Sequence, residues 1–238
     1  MDSAASFAAD YAGARIKFRD AAVAAGAALE SFTHPEKRPD GGELSTDVAL
    51  IGPADAPARL VLISGTHGAE GFCGSGAQVD WLRRGEAASL PAGVAVLLIH
   101  AINPYGFAWL RRVTEDNVDL NRNWIDFAAA PPANPGYEAL ATAAVPEGWS
   151  EEARHQAARL LGAYAAEHGA MALQQALSGG QYSHANGIFF GGRGPTWSRR
   201  TQEAIFAHYL TGAERVGIID YHTGLGPYGY GEQIVTDA

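Results

Sequence analysis

The feature that most constrains the fold is a pair of short apolar runs separated by an amphipathic segment. Residues 58–65 (ARLVLISG) and 93–104 (GVAVLLIHAINP) are rich in aliphatic and β-branched side chains and are bounded by Pro or Gly, which predicts buried strands. Residues 69–85 between them have a helical pattern that several glycines weaken. Strands that are apolar throughout are typical of a sheet covered by helices on both faces.

The rest of the chain extends this alternation. We predict further helices over residues 3–30, 150–177 and 196–211, and further strands over 47–52, 187–192 and 215–224. Residues 33–42 and 128–149 are predicted to be loops. The pattern therefore predicts a three-layer α/β/α fold with a mixed, mostly parallel sheet. We expect residues 1–238 to form a single domain.

The composition limits the classes of partner. Of the 238 residues, 47% are hydrophobic and 18% are charged, which is typical of a globular protein. The formal net charge of -9 argues against nucleic acid or an anionic membrane as the main partner. Cys73 is the single cysteine, so the chain forms no internal disulfide and a reducing, cytoplasmic location is expected. No apolar run approaches the ~20 residues needed to span a bilayer.

Polar side chains stand where predicted strands end. His67 and Glu70 follow one strand and His222 ends another, and ligands of such sheets bind beyond the carboxyl ends of strands. Imidazole nitrogen and carboxylate oxygen are good zinc donors, and a catalytic zinc usually takes three protein ligands and one water. His67 and Glu70 alone are a weak signal, because an isolated histidine more often caps a helix or fills a core.

The segment 103–123 (NPYGFAWLRRVTEDNVDLNRN) adds cationic groups. It contains Arg111, Arg112 and Arg122 near Asn121. A guanidinium binds a carboxylate through two parallel hydrogen bonds, and a second one can stabilise an oxyanion. On composition alone, a solvated loop with surface ion pairs is an equally good interpretation.

Taken in order, the motifs GTHGAEGF, NPYGF…RR…DLNRN and DYHTG resemble the zinc carboxypeptidase superfamily. That superfamily includes the aspartoacylase and succinylglutamate desuccinylase deacylases. The chain is most similar to an uncharacterised bacterial branch, in which GQYSHANGIFFGG is also typical, and the likeness covers about residues 45–232. The resemblance implies the superfamily's sheet and a single Zn²⁺ bound by His67, Glu70 and His222.

The resemblance also implies roles around the metal. Asp119 would accept a hydrogen bond from the free ring nitrogen of His67, and Asn121 with Arg122 would hold the substrate's terminal carboxylate. Arg112 would stabilise the oxyanion, with Arg111 as the alternative because the spacing to Asn121 differs between branches.

One departure concerns the general base. The family's glutamate lies C-terminal to the third ligand, on a later strand, whereas only Glu232 and Asp237 follow His222 here and neither has the expected position. Either the sequence is a piece of a longer protein, which we expect, or it is a shortened form with impaired catalysis. In both cases we expect the domain to be incomplete at its C-terminus, with an apolar edge exposed.

The sequence thus predicts a zinc-dependent hydrolase of amide bonds acting on small peptides or N-acyl amino acids. The alternative is a metal- or ligand-binding domain without turnover, motivated by the missing base. A nucleotide-binding protein is a third, weaker reading, because GLGPYG (224–229) fits G-x-G-x-x-G but contains Pro and precedes no helical pattern.

Overall fold

The computed structural model describes residues 2–224 and 226–234, which fold around one mixed sheet. The sheet has the order β1-β2-β4-β3-β5. Its strands are β1 Ala28–Lys37, β2 Glu43–Ile51, β3 Ala58–Ile63, β4 Val94–His100 and β5 Arg215–Asp220. The strands predicted at 47–52, 58–65, 93–104 and 215–224 are therefore present.

The pairings divide evenly between the two directions. β1 pairs with β2 and β2 pairs with β4 in antiparallel fashion, whereas β3 lies parallel to both β4 and β5. The mixed α/β class is confirmed, although parallel pairs make up half of the described sheet rather than most of it. The reason is the tight connection at residues 38–42, where the Arg38 amide donates to the Gly42 carbonyl and turns β1 back into β2.

Helices cover both faces of this sheet. The helices of the described residues are α1 Tyr11–Ala24, α2 Gly71–Arg83, α3 Pro104–Ala108, α4 Pro135–Ala144, α5 Glu151–His168, α6 Ala170–Ser178 and α7 Trp197–Tyr209. No helix of the described residues combines the length and the apolar character that crossing a membrane requires.

Two apolar clusters make the three layers. On one face, Phe18 of α1 and Val79 of α2 pack against Leu98 of β4. On the other face, Ile205 of α7 packs against Val61 of β3 and neighbouring strand residues. Each fully buried side chain of this kind contributes about 1.5–3 kcal/mol. The prediction of helices on both faces is confirmed.

Two segments differ from their predicted structure because of contacts that periodicity does not report. Residues 28–37, divided between a helix and a loop in the prediction, form β1, since this partly polar strand pairs with β2. Within the predicted loop 128–149, α4 begins after Asn134, whose side chain accepts from the Tyr137 amide, with Pro135 at the first helical position.

The strand predicted at 187–192 is wrong. In the described structure this segment makes only an isolated bridge between Gln181 and Phe190. Phe189 has a φ of +50°, which bends the chain out of an extended path.

β5 is an exposed edge of the described sheet. Val216 is 44% exposed, Ile218 is 51% exposed and Ile219 is 46% exposed. Its only described strand neighbour is β3. Apolar side chains on such an edge are the exposure that the sequence led us to expect.

His100, at the end of β4, is a fully buried histidine. Its ring stacks on Phe18 with centroids 4.5 Å apart, and its Nε2 lies 2.8 Å from the Ser75 hydroxyl. Its Nδ1 has no hydrogen-bond partner among the described residues. Burial lowers the pKa of His100 from 6.5 to about 4.

We expect this histidine to make the protein acid-sensitive. The unfolded chain binds a proton on this ring near pH 6.5 and the folded chain only near 4, so stability is complete above the first value and falls towards the second. The loss over that window amounts to about 3 kcal/mol. Urea unfolding of the wild type and of His100→Gln at a series of pH values measures this loss. The carboxylates titrate alike in both proteins, so their contribution cancels in the difference between the two curves of unfolding free energy against pH. Parallel curves would contradict the assignment.

Candidate metal centre

Three side chains converge at one end of the sheet. His67, Glu70 and His222 each offer a ligand atom, and these atoms lie within 4.8 Å of one another. His67 lies between β3 and α2, Glu70 is the N-cap residue of α2, and His222 follows β5 by two residues. Since β3 and β5 are parallel neighbours, their carboxyl ends meet and bring these residues together. The structure therefore brings together the three candidate ligands that the sequence predicted.

Glycine makes the turn before Glu70 possible. The Gly68 amide donates to the Arg111 carbonyl at 3.0 Å, and a Cβ at this position would overlap the Gly106 and Arg111 carbonyls. The loop that carries His67 is thus pressed against the segment that carries the arginines. A larger residue at Gly68 would separate the two halves of the site.

His67 is held as a neutral ring with a defined tautomer. It is 2% exposed, and burial together with the nearby Arg112 guanidinium lowers its pKa. Nδ1 lies 3.3 Å from the Arg112 carbonyl, which can only accept, so Nδ1 carries the proton. Nε2 lies 3.1 Å from the Asn121 side-chain nitrogen and accepts from it. A metal bound at this Nε2 would take the place of the Asn121 side-chain nitrogen.

Glu70 is held as a carboxylate. Burial alone would raise its pKa, but hydrogen bonds from His222 and from the Thr223 amide lower it overall. The Thr223 amide lies 2.6 Å from Oε2, and Nδ1 of His222 lies 3.6 Å from the same oxygen. Hydrogen bonds to Asp220 and Glu70 raise the pKa of His222 to about 9. A proton on Nδ1 of His222 thus lies between that nitrogen and Oε2 of Glu70, two of the atoms that would ligate a cation. Two imidazoles with one carboxylate suit zinc.

Asp220 is the site residue that sequence reasoning missed. Its Oδ2 lies 2.9 Å from Nε2 of His222, which leaves the Nδ1 of that ring facing Glu70. The Thr66 hydroxyl donates to Asp220 at 2.8 Å and fixes the carboxylate. The signal in the sequence is an acid at a strand end two residues before a candidate ligand.

We expect Asp220→Ala to weaken zinc binding by about 10–100-fold, because carboxylates that orient a ligating histidine contribute that much. Competition with a zinc chelator of known affinity measures the change. Thr66→Ala is the matched control: it removes the support of Asp220 but keeps the His222 contact, so its effect is expected to be smaller. Unchanged affinity in Asp220→Ala would show that His222 needs no such partner.

Asp119 does not have the partner expected for it. The free ring nitrogen of His67 faces the Arg112 carbonyl, whereas Asp119 accepts from Nε of Arg112 at 2.9 Å and from the Asn121 amide at 3.0 Å. The carboxylate caps the short 3-10 turn Leu120–Arg122, and this local hydrogen bond directs it away from the ring. Its contribution is to fix Arg112 and Asn121.

The two neighbouring arginines take different directions. Nη1 of Arg112 lies 3.5 Å from Oε1 of Glu70, beside the three candidate ligands. Nη2 of Arg111 instead donates to the Asn117 side chain at 3.1 Å. Of the two, Arg112 is therefore the one beside the candidate ligands.

Arg122 is a half-buried cation without an acidic partner among residues 2–224 and 226–234. Its Nη2 donates to the Ser178 carbonyl at 2.8 Å and its Nη1 lies 3.3 Å from the Asn121 carbonyl. Main-chain carbonyls hold the guanidinium in place but leave its charge uncompensated, as an anion-binding site requires.

Other groups noted in the sequence take no part in the cluster. Cys73, in the first turn of α2, is exposed, and partial burial of its sulfur with the Glu70 charge raises its pKa, so the thiol stays protonated. Glu232 is exposed, and Asp237 lies outside the described residues. GLGPYG contains Leu225, which also lies outside the described residues.

Sequence comparison gives the family. A family model described as "Protein of unknown function (DUF2817)" matches residues 7–238. The chain belongs to the DUF2817 family. No curated protein matches it.

Solved structures similar to this DUF2817 protein are distant. A glutaminyl cyclase from Fimbriiglobus ruber is 14% identical over 36% of this chain and 35% of its own, with a TM-score of 0.28. A leucine aminopeptidase precursor from Bacteroides thetaiotaomicron is 16% identical over 44% and 43%, with a TM-score of 0.30. A Zn-dependent exopeptidase from Parabacteroides distasonis is 13% identical over 87% and 74%, with a TM-score of 0.34. The chain thus spans less than half of the first two, and at these scores the similarities assign no activity.

Proposed function

We propose that this DUF2817 protein is a zinc-dependent hydrolase of amide bonds, of the metallocarboxypeptidase or deacylase type, acting on small peptides or N-acyl amino acids. The observation that carries the proposal is the convergence of His67, Glu70 and His222 within 4.8 Å. When bound there, zinc would polarise a carbonyl and lower the pKa of its water towards ~7. The ordered motifs that resemble the zinc carboxypeptidase superfamily support the same reading.

The arginines define the substrate's charge. Arg122, with no carboxylate partner in the described structure, would bind a free carboxylate through its remaining N–H groups. The Asn121 side chain, which donates to Nε2 of His67, would assist it. Arg112 would donate to the oxyanion that forms on the scissile carbonyl. Both C-terminal residues of peptides and N-acyl amino acids offer a carboxylate next to an amide, so the site suits both.

A metal-binding domain without turnover is the second candidate, and the state of the acids favours it. Asp119 is engaged by Arg112 and Asn121, while Asp220 is engaged by Thr66 and His222. Glu70 serves as a ligand in the proposal. No acid of the described cluster is therefore free to take a proton from a metal-bound water.

One assay separates the two candidates. The zinc-loaded protein is incubated with a panel of dipeptides and a panel of N-acetyl amino acids, and the released amino acid is quantified, with Glu70→Gln as the inactive control. We expect release from at least one panel. Release from dipeptides alone identifies a peptidase and release from N-acetyl amino acids alone identifies a deacylase. Silence on both, with one zinc per chain, would refute the hydrolase and support the binding domain.

A further inference from the structure

Residues 180–192, the segment GQYSHANGIFFGG, pack around Arg122. The Tyr182 hydroxyl donates to the Arg122 carbonyl at 2.7 Å. Gly180 has a φ of +95°, and a Cβ there would lie 2.7 Å from Cδ of Arg122. The Asn134 side chain donates to the Gly180 carbonyl at 2.8 Å and fixes the start of the segment. This motif therefore forms a fitted support for one side chain rather than a strand.

Phe189 is the residue of this segment that reaches both arginines of the site. The Cζ atom of Arg112 lies 5.1 Å from the centroid of its ring, and that of Arg122 lies 5.7 Å from the same centroid. A guanidinium within about 6 Å of an aromatic face is attracted by the ring's quadrupole. One ring thus contacts the group that binds the carboxylate and the group that faces the metal ligands.

The backbone of Phe189 is held where a non-glycine residue is rare. Its φ is +50°, and its carbonyl accepts from the Gln181 amide at 3.1 Å. The residues on either side are also fixed: the Ile188 amide donates to the Tyr137 hydroxyl at 2.9 Å, and the Phe190 carbonyl accepts from the Asp119 amide at 2.8 Å. Such conformations persist where surrounding contacts over-determine them, and they cluster at functional sites.

We propose that Phe189 is a positioning residue that fixes the separation of Arg122 from Arg112 and thereby selects substrates by the number of bonds between carboxylate and scissile carbonyl. The inference rests on the proposed function, since it assigns the two arginines to those two groups. Phe189 acts through the two guanidiniums, because contact with its ring fixes the distance between them. Without the ring, Arg122 retains its carbonyl contacts but loses the surface against which its plane is set.

Thiol-bearing carboxylic acids test this selection without turnover. Mercaptoacetate, mercaptopropionate and mercaptobutyrate differ only in the distance between a zinc-binding thiolate and a carboxylate. Their dissociation constants for the zinc-loaded protein are measured by calorimetry. We expect the wild type to prefer one length by about tenfold or more, and Phe189→Gly and Phe189→Leu to bind all three within about threefold, because a pre-set geometry is lost. Phe189→Tyr is expected to keep the wild-type preference.

The variants guard against a trivial result. Glycine adopts the +50° φ readily, so Phe189→Gly keeps the backbone, while Phe189→Leu keeps apolar bulk. Phe127→Leu is the matched control, since Phe127 packs against the Arg199 guanidinium at 5.7 Å, away from the candidate ligands. A preference that survives in Phe189→Gly and Phe189→Leu, or a wild type without a preference, overturns this inference alone. A wild type that binds no zinc overturns the proposed function and this inference together.

Discussion

The His67→Ala variant is expected to lose its zinc while keeping its fold. The substitution removes one of three donors, and the ring it deletes is already neutral and oriented by the Arg112 carbonyl and the Asn121 amide. Since the loss of a mere orienting partner weakens metal binding by 10–100-fold, the loss of a ligand is expected to exceed about 100-fold. Elemental analysis of zinc per chain after dialysis against a weak chelator measures it.

His155→Ala is the matched control for this experiment. His155 is exposed on α5, so its removal changes the histidine count without touching the cluster. We expect the control to retain the zinc of the wild type. Equal zinc in His67→Ala and the wild type would refute the assignment of this residue as a ligand.

Replacing Arg122 with alanine is expected to raise KM by about 100-fold with the zinc content unchanged. The change removes a fixed guanidinium, and truncating one partner of a hydrogen-bonded charge pair costs about 2–5 kcal/mol. Arg122→Lys is expected to recover only part of this, because an ammonium group cannot form the two parallel hydrogen bonds. Steady-state kinetics on whichever panel is hydrolysed, with elemental analysis alongside, measures both quantities.

Arg193→Ala provides the comparison for this variant. Arg193 is exposed and lines a separate cavity of about 340 Å³ with Asp116 and Pro195. Its removal lowers the net charge by the same amount as Arg122→Ala, so general electrostatic attraction of an anionic substrate is matched. A KM rise of equal size in both variants, or loss of zinc from Arg122→Ala, would mean that the role of Arg122 is misassigned.

The part of the fold that follows from local pattern was predictable. β3, β4 and α2 carry continuous apolar or amphipathic patterns, and the structure has them near the expected bounds. β1 was not predictable in the same way, because its alternating and partly polar side chains gain their structure only from pairing with β2. α4 carried a usable signal in Asn134 and Pro135, which the Ala- and Pro-rich surroundings obscured.

The site shows the same division. His67 and Glu70 belong to one turn, so their proximity is local, whereas the approach of His222 depends on β5 lying beside β3. The direction of the Asp119 side chain depends on the turn it caps, and sequence spacing does not encode that choice. Residues 180–192 support Arg122 because Phe189 has a left-handed backbone conformation. The apolar composition of residues 187–192 had predicted a strand there instead.

The exposed edge strand β5 and the ligand that follows it have a joint consequence. In the described sheet β5 pairs with β3 alone, and few apolar contacts hold it there. His222 lies only two residues after the last residue of β5. An ion bound by both His222 and the turn after β3 would therefore link β5 to β3 at the carboxyl ends of the two strands. Each tenfold excess of metal over its dissociation constant would then add about 1.4 kcal/mol to the free energy needed to separate β5 from β3. The rate of hydrogen exchange at the β5 amides would therefore report metal occupancy.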